Sequence, residues 1–225
     1  MRISLFVLAS IMMTFCIHAN AQHEFVDLGL SVKWATCNVG ATKPEEYGDY
    51  YAWGETEPKS EYTISSYKYS KGSVGTLTKY CTECEYVLGY NGFIDNKTVL
   101  DPEDDAAHVK WGGNWRMPTI DEWKELVNNC NWIWTIQNGI NGYVIKSNKE
   151  GYTECSIFLP SADIKATRNG ITFDKPGTGV EYNSSSLDVG SPEFALGYGR
   201  DNMTGRFAEI HMGRYIGCPV RPVCK

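Results

Sequence analysis

Residues 113–126 read Gly-Asn-Trp-Arg-Met-Pro-Thr-Ile-Asp-Glu-Trp-Lys-Glu-Leu, and this run decides the fold. Thr119 is an N-cap residue, and Glu122, three positions on, completes a capping box in which each side chain meets the other residue's backbone N–H. Pro118 stands just ahead of the cap. Trp123, Leu126 and Val127 then fall at i, i+3 and i+4, so a helix over 120–129 presents an apolar stripe that another layer must cover. Trp115 and Arg116 make an aromatic–basic corner on the near side. A helix this short is marginal alone and takes its stability from what it packs against.

Working outward, Asp101-Pro102-Glu103-Asp104-Asp105 predicts a second helix near 102–110. Asp101 is its N-cap, Pro102 its first residue, and acids fill the first turn. Gly112-Gly113 ends it. Downstream, residues 132–136, 143–147 and 155–159 alternate as strands, separated by turn-dense 137–142 and 148–151. Upstream, Phe25 to Ala41 reads as two short strands around Gly29, and Gly48 to Gly54 as another. Residues 55–98 turn to Ser, Tyr, Lys and Thr without periodicity, a length that is often functional or partly mobile. Tyr 14, Trp 7 and Gly 22 beside only 9 Pro favour many short strands over a helical bundle. No internal repeat or linker divides the chain.

Residues 1–21 have the pattern of an export signal: Arg2, an apolar run from Ile3 to Ile17, and Ala19-Asn20-Ala21 as a small-x-small cleavage site. The run is too short for a membrane span. Lipidation at Cys16 is the rival reading, and the bulky Phe15 before it counts against that. The expected protein is a single domain over 22–225 with a loop-rich insertion at about 55–98, secreted, periplasmic or on the cell surface. Losing Arg2 with the signal moves the net charge from −6 to −7. That acidity argues against nucleic acid or an anionic membrane as partner.

The RMPTIDEW run, from Arg116 to Trp123, resembles the "RLPT-x-x-EW" element of the formylglycine-generating-enzyme/C-type-lectin-like superfamily. With WATCNVGA (Trp34 to Ala41) near the start and VRPVC (Val220 to Cys224) at the end, the chain most resembles the Fibrobacter succinogenes major paralogous domain family, common in secreted and surface proteins of gut Bacteroidetes. The resemblance implies an α+β, C-type-lectin-like fold: two short helices on twisted antiparallel sheets, with the termini adjacent. It also implies a Cys37–Cys224 disulfide. Tyr182-Asn183-Ser184-Ser185-Ser186 resembles the family's structural "YWSSS" element with Asn183 in the Trp position.

The expected role is a non-catalytic binding domain for a glycan or protein outside the cell. Aromatic platforms with Arg and Asn forks grip such ligands, and lectin-like folds commonly present them in the C-terminal half. The candidate contact residues are therefore Tyr182, Asn183, Tyr198, Arg200, Asn202, Arg206, Arg214 and Tyr215, helped by the Tyr-rich insertion. Two other classes stay in view. An oxidoreductase of the formylglycine-generating kind needs a close copper-binding cysteine pair, which Cys218 and Cys224, six residues apart, do not match. A structural subunit would use the odd cysteine, since seven follow the signal.

Other chemistry reads as structure. Cys81-Thr-Glu-Cys84 lacks the βαβ context of a redox site and the further ligands of a zinc site. Asp95, Asp101, Glu103, Asp104 and Asp105 admit calcium, but helix capping already accounts for the run from Asp101 to Asp105, so no cofactor is expected. His108 and His211 sit in no paired metal motif, and Ser184 to Ser186 lack a nucleophile elbow.

Overall fold

The computed structural model describes residues 17–20, 23–83, 90–168, 171–174, 176–177, 179–200 and 207–225. The strands before the helices are β1 (Ile17–Asn20), β2 (His23–Val26), β3 (Lys33–Ala35) and β4 (Tyr50–Tyr51). The helices are α1 (Ala106–Trp111) and α2 (Ile120–Asn129). After them come β5 (Cys130–Gln137), β6 (Ile140–Ser147), β7 (Ser156–Pro160), β8 (Lys165–Arg168) and β9 (Ile171–Asp174). The chain closes with β10 (Glu181–Leu187), β11 (Phe194–Arg200), β12 (Phe207–Gly213), β13 (Cys218–Pro219) and β14 (Val223–Cys224). Every pairing is antiparallel, in sheets ordered β1-β2-β3-β14, β13-β4, β5-β6-β7, β8-β9 and β10-β11-β12. This is the expected mix of two helices on antiparallel sheets. The export signal expected over 1–21 lies mostly outside the described residues, and no helix among those described is long and apolar enough to cross a membrane.

Strand β3 near the start and β14 near the end lie side by side: Trp34 faces Val223 and Lys33 faces Cys224. Val223 also exchanges backbone hydrogen bonds with Arg116, at 2.9 and 3.1 Å, so β14 sits between β3 and the aromatic–basic corner. Arg221 is fully buried just ahead of it. Its guanidinium donates to Asn38 Oδ1 and to the carbonyls of Ala35, Thr36 and Phe158 at 2.8–3.0 Å, tying the two chain ends to β7. A buried cation without these acceptors would be strongly destabilising.

The same register overturns the expected Cys37–Cys224 disulfide, because both are free thiols. With Lys33 opposite Cys224, and Val39 N–H bonded to the Val220 carbonyl, Cys37 comes level with the Val220–Arg221 step. Cys224 lies several residues away along the strand, outside the reach of a disulfide.

Helix α2 matches its sequence reading. Thr119 accepts from Glu122 N–H while Glu122 reaches back to Thr119 N–H at 2.8 Å. Both Glu122 oxygens also take the Arg116 guanidinium, at 2.5 and 2.7 Å. Burial pushes Glu122 up, but Arg116 and the Thr119 N–H outweigh it and hold its carboxyl below the usual value. Trp123 and Leu126 enter a core with Trp34, Ile145, Leu159, Tyr182 and Val223. Helix α1 corrects its reading by one turn. Its N-cap is Asp105, which accepts from Ala107 and His108 N–H, whereas Pro102–Asp104 forms a separate 3-10 turn. Asp105 is better placed because its second oxygen also takes Met117 N–H.

The insertion is not a loose loop where it is described. Tyr62, Tyr67, Tyr69 and Tyr80 are buried in a second core with Tyr51, Trp53, Met117 and Val220. These four rings face the interior, not a contact face, and residues 84–89 of the insertion lie outside the described residues. Each hydroxyl has a fixed partner: Tyr62 donates to the Tyr50 carbonyl, Tyr67 to the Trp53 carbonyl, and Tyr69 and Tyr80 to Asp104.

Candidate functional site

Four of the eight expected contact residues are interior. Tyr182 packs against Trp123, Asn183 is 2% exposed, and Tyr198 lies between Trp123 and Phe207. Arg214 is buried against Trp53, donating to Tyr67 Oη and to the carbonyls of Lys79, Tyr80 and Pro192. Tyr215 is partly buried against the second core. Arg200 has its backbone in β11, its side chain lies outside the described residues, and Asn202 and Arg206 lie outside them altogether. Arg and Tyr on Gly-rich strands read as a surface, yet the Tyr182 hydroxyl and the Arg214 guanidinium find their partners inside the molecule.

The serine run is structural as expected. Ser185 N–H and Oγ bond the Pro118 carbonyl, Ser186 Oγ takes Ile120 N–H, and Ser184 Oγ donates to the Leu196 carbonyl. This fixes β10 to the start of α2. Asn183, in the place of the family's Trp, has both amide atoms buried without a partner.

The acidic cluster is filled by a lysine. Asp101, Glu103 and Asp104 bring carboxylate oxygens together, and Lys79 Nζ sits among them at 2.7, 3.6 and 2.5 Å. An ammonium there supplies the cation such a cluster needs. Asp95 spends both oxygens on the N–H groups of Tyr80, Cys81 and Lys97.

The site that sequence reasoning missed is on the β5–β6 hairpin. Trp132, Trp134 and Ile136 alternate onto one face of β5, opposite Ile145, Tyr143 and Asn141 of β6. The inner end of this face joins the core through Ile145, while the outer end overhangs it: Trp134 is 45% and Ile136 66% exposed. Trp134 meets Tyr143 edge to face at 4.9 Å, and Trp132 lies 4.3 Å from Phe207 of β12. Phe207 stacks on Tyr198 at 5.7 Å, Tyr198 on Trp123, and Trp123 abuts Trp34. A continuous row of rings therefore runs from the deepest core to the surface and braces the exposed indole. Lys124 and Glu209 form an ion pair at 2.8 Å, with Glu209 two residues beyond Phe207 on the same strand. The signal in the sequence was Trp132-Ile133-Trp134, which reads equally as an ordinary buried strand.

A cleft of about 450 Å³ is lined by His23, Glu24, Thr36, Cys37, Thr42 and Trp111. Its aromatic surfaces are already spent, since His23 stacks flat on Trp111 at 3.8 Å and Trp111 packs edge-on against Trp115. Burial raises the Cys37 thiol, so it is not poised as a nucleophile. The hairpin is the stronger candidate.

Comparison with protein-family models, with curated proteins and with solved structures finds no match to this chain.

Proposed function

We propose that this chain is a non-catalytic binding domain of the C-type-lectin-like kind, secreted or displayed at the cell surface, whose ligand is a glycan. The carrying observation is the exposed Trp134 indole braced by Tyr143, Trp132 and Phe207. Sugar rings have one apolar face, and a rigid, partly exposed ring offers them area without ordering cost. The Lys124–Glu209 pair supplies hydrogen-bonding groups two residues along β12 from Phe207. The adjacent chain ends, the Arg116–Glu122 corner and the buried Arg221 of the closing segment support the lectin-like assignment.

The oxidoreductase reading has no comparable support. Cys218 pairs β13 with β4, Cys224 pairs β14 with β3, and both thiols are buried and raised in pKa.

The test is a glycan array of plant and host oligosaccharides, followed by titration of the best binder using tryptophan fluorescence. Trp134→Ala should weaken affinity about tenfold or more, the loss of roughly 1.4 kcal/mol of stacking. Tyr143→Ala should act in the same direction. Array binding that survives both changes at full strength refutes the platform.

A further inference from the structure

We propose that β5 is a dimerisation edge, pairing antiparallel with β5 of a second copy about a two-fold axis through Trp134. In the sheet order β5-β6-β7, β5 is an outer strand. Asn138 and Gly139 both have positive φ, 50° and 84°, which makes the β5–β6 turn a two-residue type I′ hairpin. In such a hairpin the flanking pair, Gln137 and Ile140, is hydrogen-bonded, and bonded pairs recur every second residue. Asn148 N–H donating to the Asn129 carbonyl at 2.9 Å keeps the same phase at the far end. Residues 131, 133, 135 and 137 therefore spend their backbone groups on β6, and Trp132, Trp134 and Ile136 turn theirs outward. Among the described residues nothing caps that outer row.

Outer strands are normally protected by charge, proline, a bulge or a covering element. Residues 130–137 carry no charge and no proline, and they pair with β6 through eight unbroken positions. Ile133 is 53% exposed on the opposite face from Trp134. Symmetry then selects one register. With Trp134 opposite its own copy, Trp132 faces Ile136 and Ile133 faces Thr135 of the second copy. All three outward residues then fall in hydrogen-bonded pairs, and the same ladder puts aromatic and β-branched side chains across from one another.

Charged residues stand at both ends of the ladder. Asn138 at the turn donates to Glu45, and at the other end Cys130 is in register with Ser147, two residues before the exposed Lys149. In the two-fold register Asn138 lies across from Cys130, so Glu45 of each copy meets Lys149 of the other. Glu125, also near Cys130, accepts from Ser31 N–H and Oγ, which fixes its carboxylate without neutralising it, so the acid and Lys149 offset one another there. For a chain of net charge −6, this uncharged strand is where two copies meet with least repulsion. Two aromatic platforms would then share one face.

Sedimentation equilibrium of the full chain should show a concentration-dependent monomer–dimer equilibrium. Ile136→Pro removes an N–H that β6 does not use, so it should keep the fold while weakening association at least about tenfold. Trp134→Cys should cross-link to itself on oxidation, because directly bonded antiparallel positions stand about 5.5 Å apart, within disulfide reach. Ile133→Cys, facing Thr135, should not. A wild-type chain that stays monomeric at all concentrations overturns the proposal. So does a dimer that resists Ile136→Pro and gives no 134–134 bond by mass mapping. Glycan binding by monomeric Ile136→Pro protein is scored separately, so the platform and the edge fail independently.

Discussion

Glu181 shows what one side chain does when burial outruns pairing. It sits on β10 two positions before Asn183, so both share a face, each opposite a glycine of β11. Burial, helped by the nearby Asp163 carboxylate, lifts its pKa from 4.5 to about 7. The folded protein thus keeps a proton that the unfolded chain releases, and stability falls as pH rises from about 4.5 to about 7. Glu181→Gln should remove this slope. At pH 8 it should stabilise by about 2 kcal/mol, roughly 4–8 °C in melting temperature, with little effect at pH 4. Thermal melts at the two pH values check it, and equal shifts at both would contradict it. Nothing in the sequence marks Glu181, because burial of a strand residue depends on which sheet covers it.

Local rules succeed where elements contain their own instructions. The α2 cap was legible because Thr119, Glu122 and Arg116 meet within a few residues. Thr119→Ala should cost about 1 kcal/mol, and Glu122→Ala about 2–3 kcal/mol because it also strands the half-buried Arg116 guanidinium. Urea denaturation separates the two, and equal midpoints would deny the fork its part. The strands of the β5–β7 meander were legible from alternation, within one to three residues at each end. Alternation did not say which face would be covered, so Trp134 was overlooked. Four of the expected contact residues, Tyr182, Asn183, Tyr198 and Arg214, are interior for the converse reason. Tyr182, Tyr198 and Arg214 look like a surface only until the layer packed over them is known. The α1 cap slipped by a turn because Met117, which helps hold Asp105, lies outside the local motif.

Across the whole molecule, the insertion is bound to the rest through Asp104. It takes Tyr69 and Tyr80 hydroxyls and the ammonium groups of Lys68 and Lys79, and these hold its carboxyl well below the usual range against the upward push of burial. A depressed carboxyl stabilises the fold above its unfolded value of about 3.9 and loses that contribution as pH falls below it. Asp104→Asn should cost about 2–3 kcal/mol, discounted for the exposure of Lys68. It should also open residues 55–83 to limited proteolysis at neutral pH, while wild-type protein becomes similarly sensitive only in acid. Cleavage at unchanged rate would show that the tyrosine core alone holds the segment. No composition rule signalled this, since Tyr, Ser and Lys in an aperiodic stretch read as solvent-exposed chain.

The placement of β14 carries a consequence for biogenesis. Val223 and Cys224 complete the ladder against residues translated nearly two hundred positions earlier. Until they are made, Trp34 and the Arg116 corner lack their neighbour. Such long-range closure makes acquisition of structure slow. A chain cut before Val223 would be left with its aromatic interior open to water, and quality-control proteases would meet it in that state.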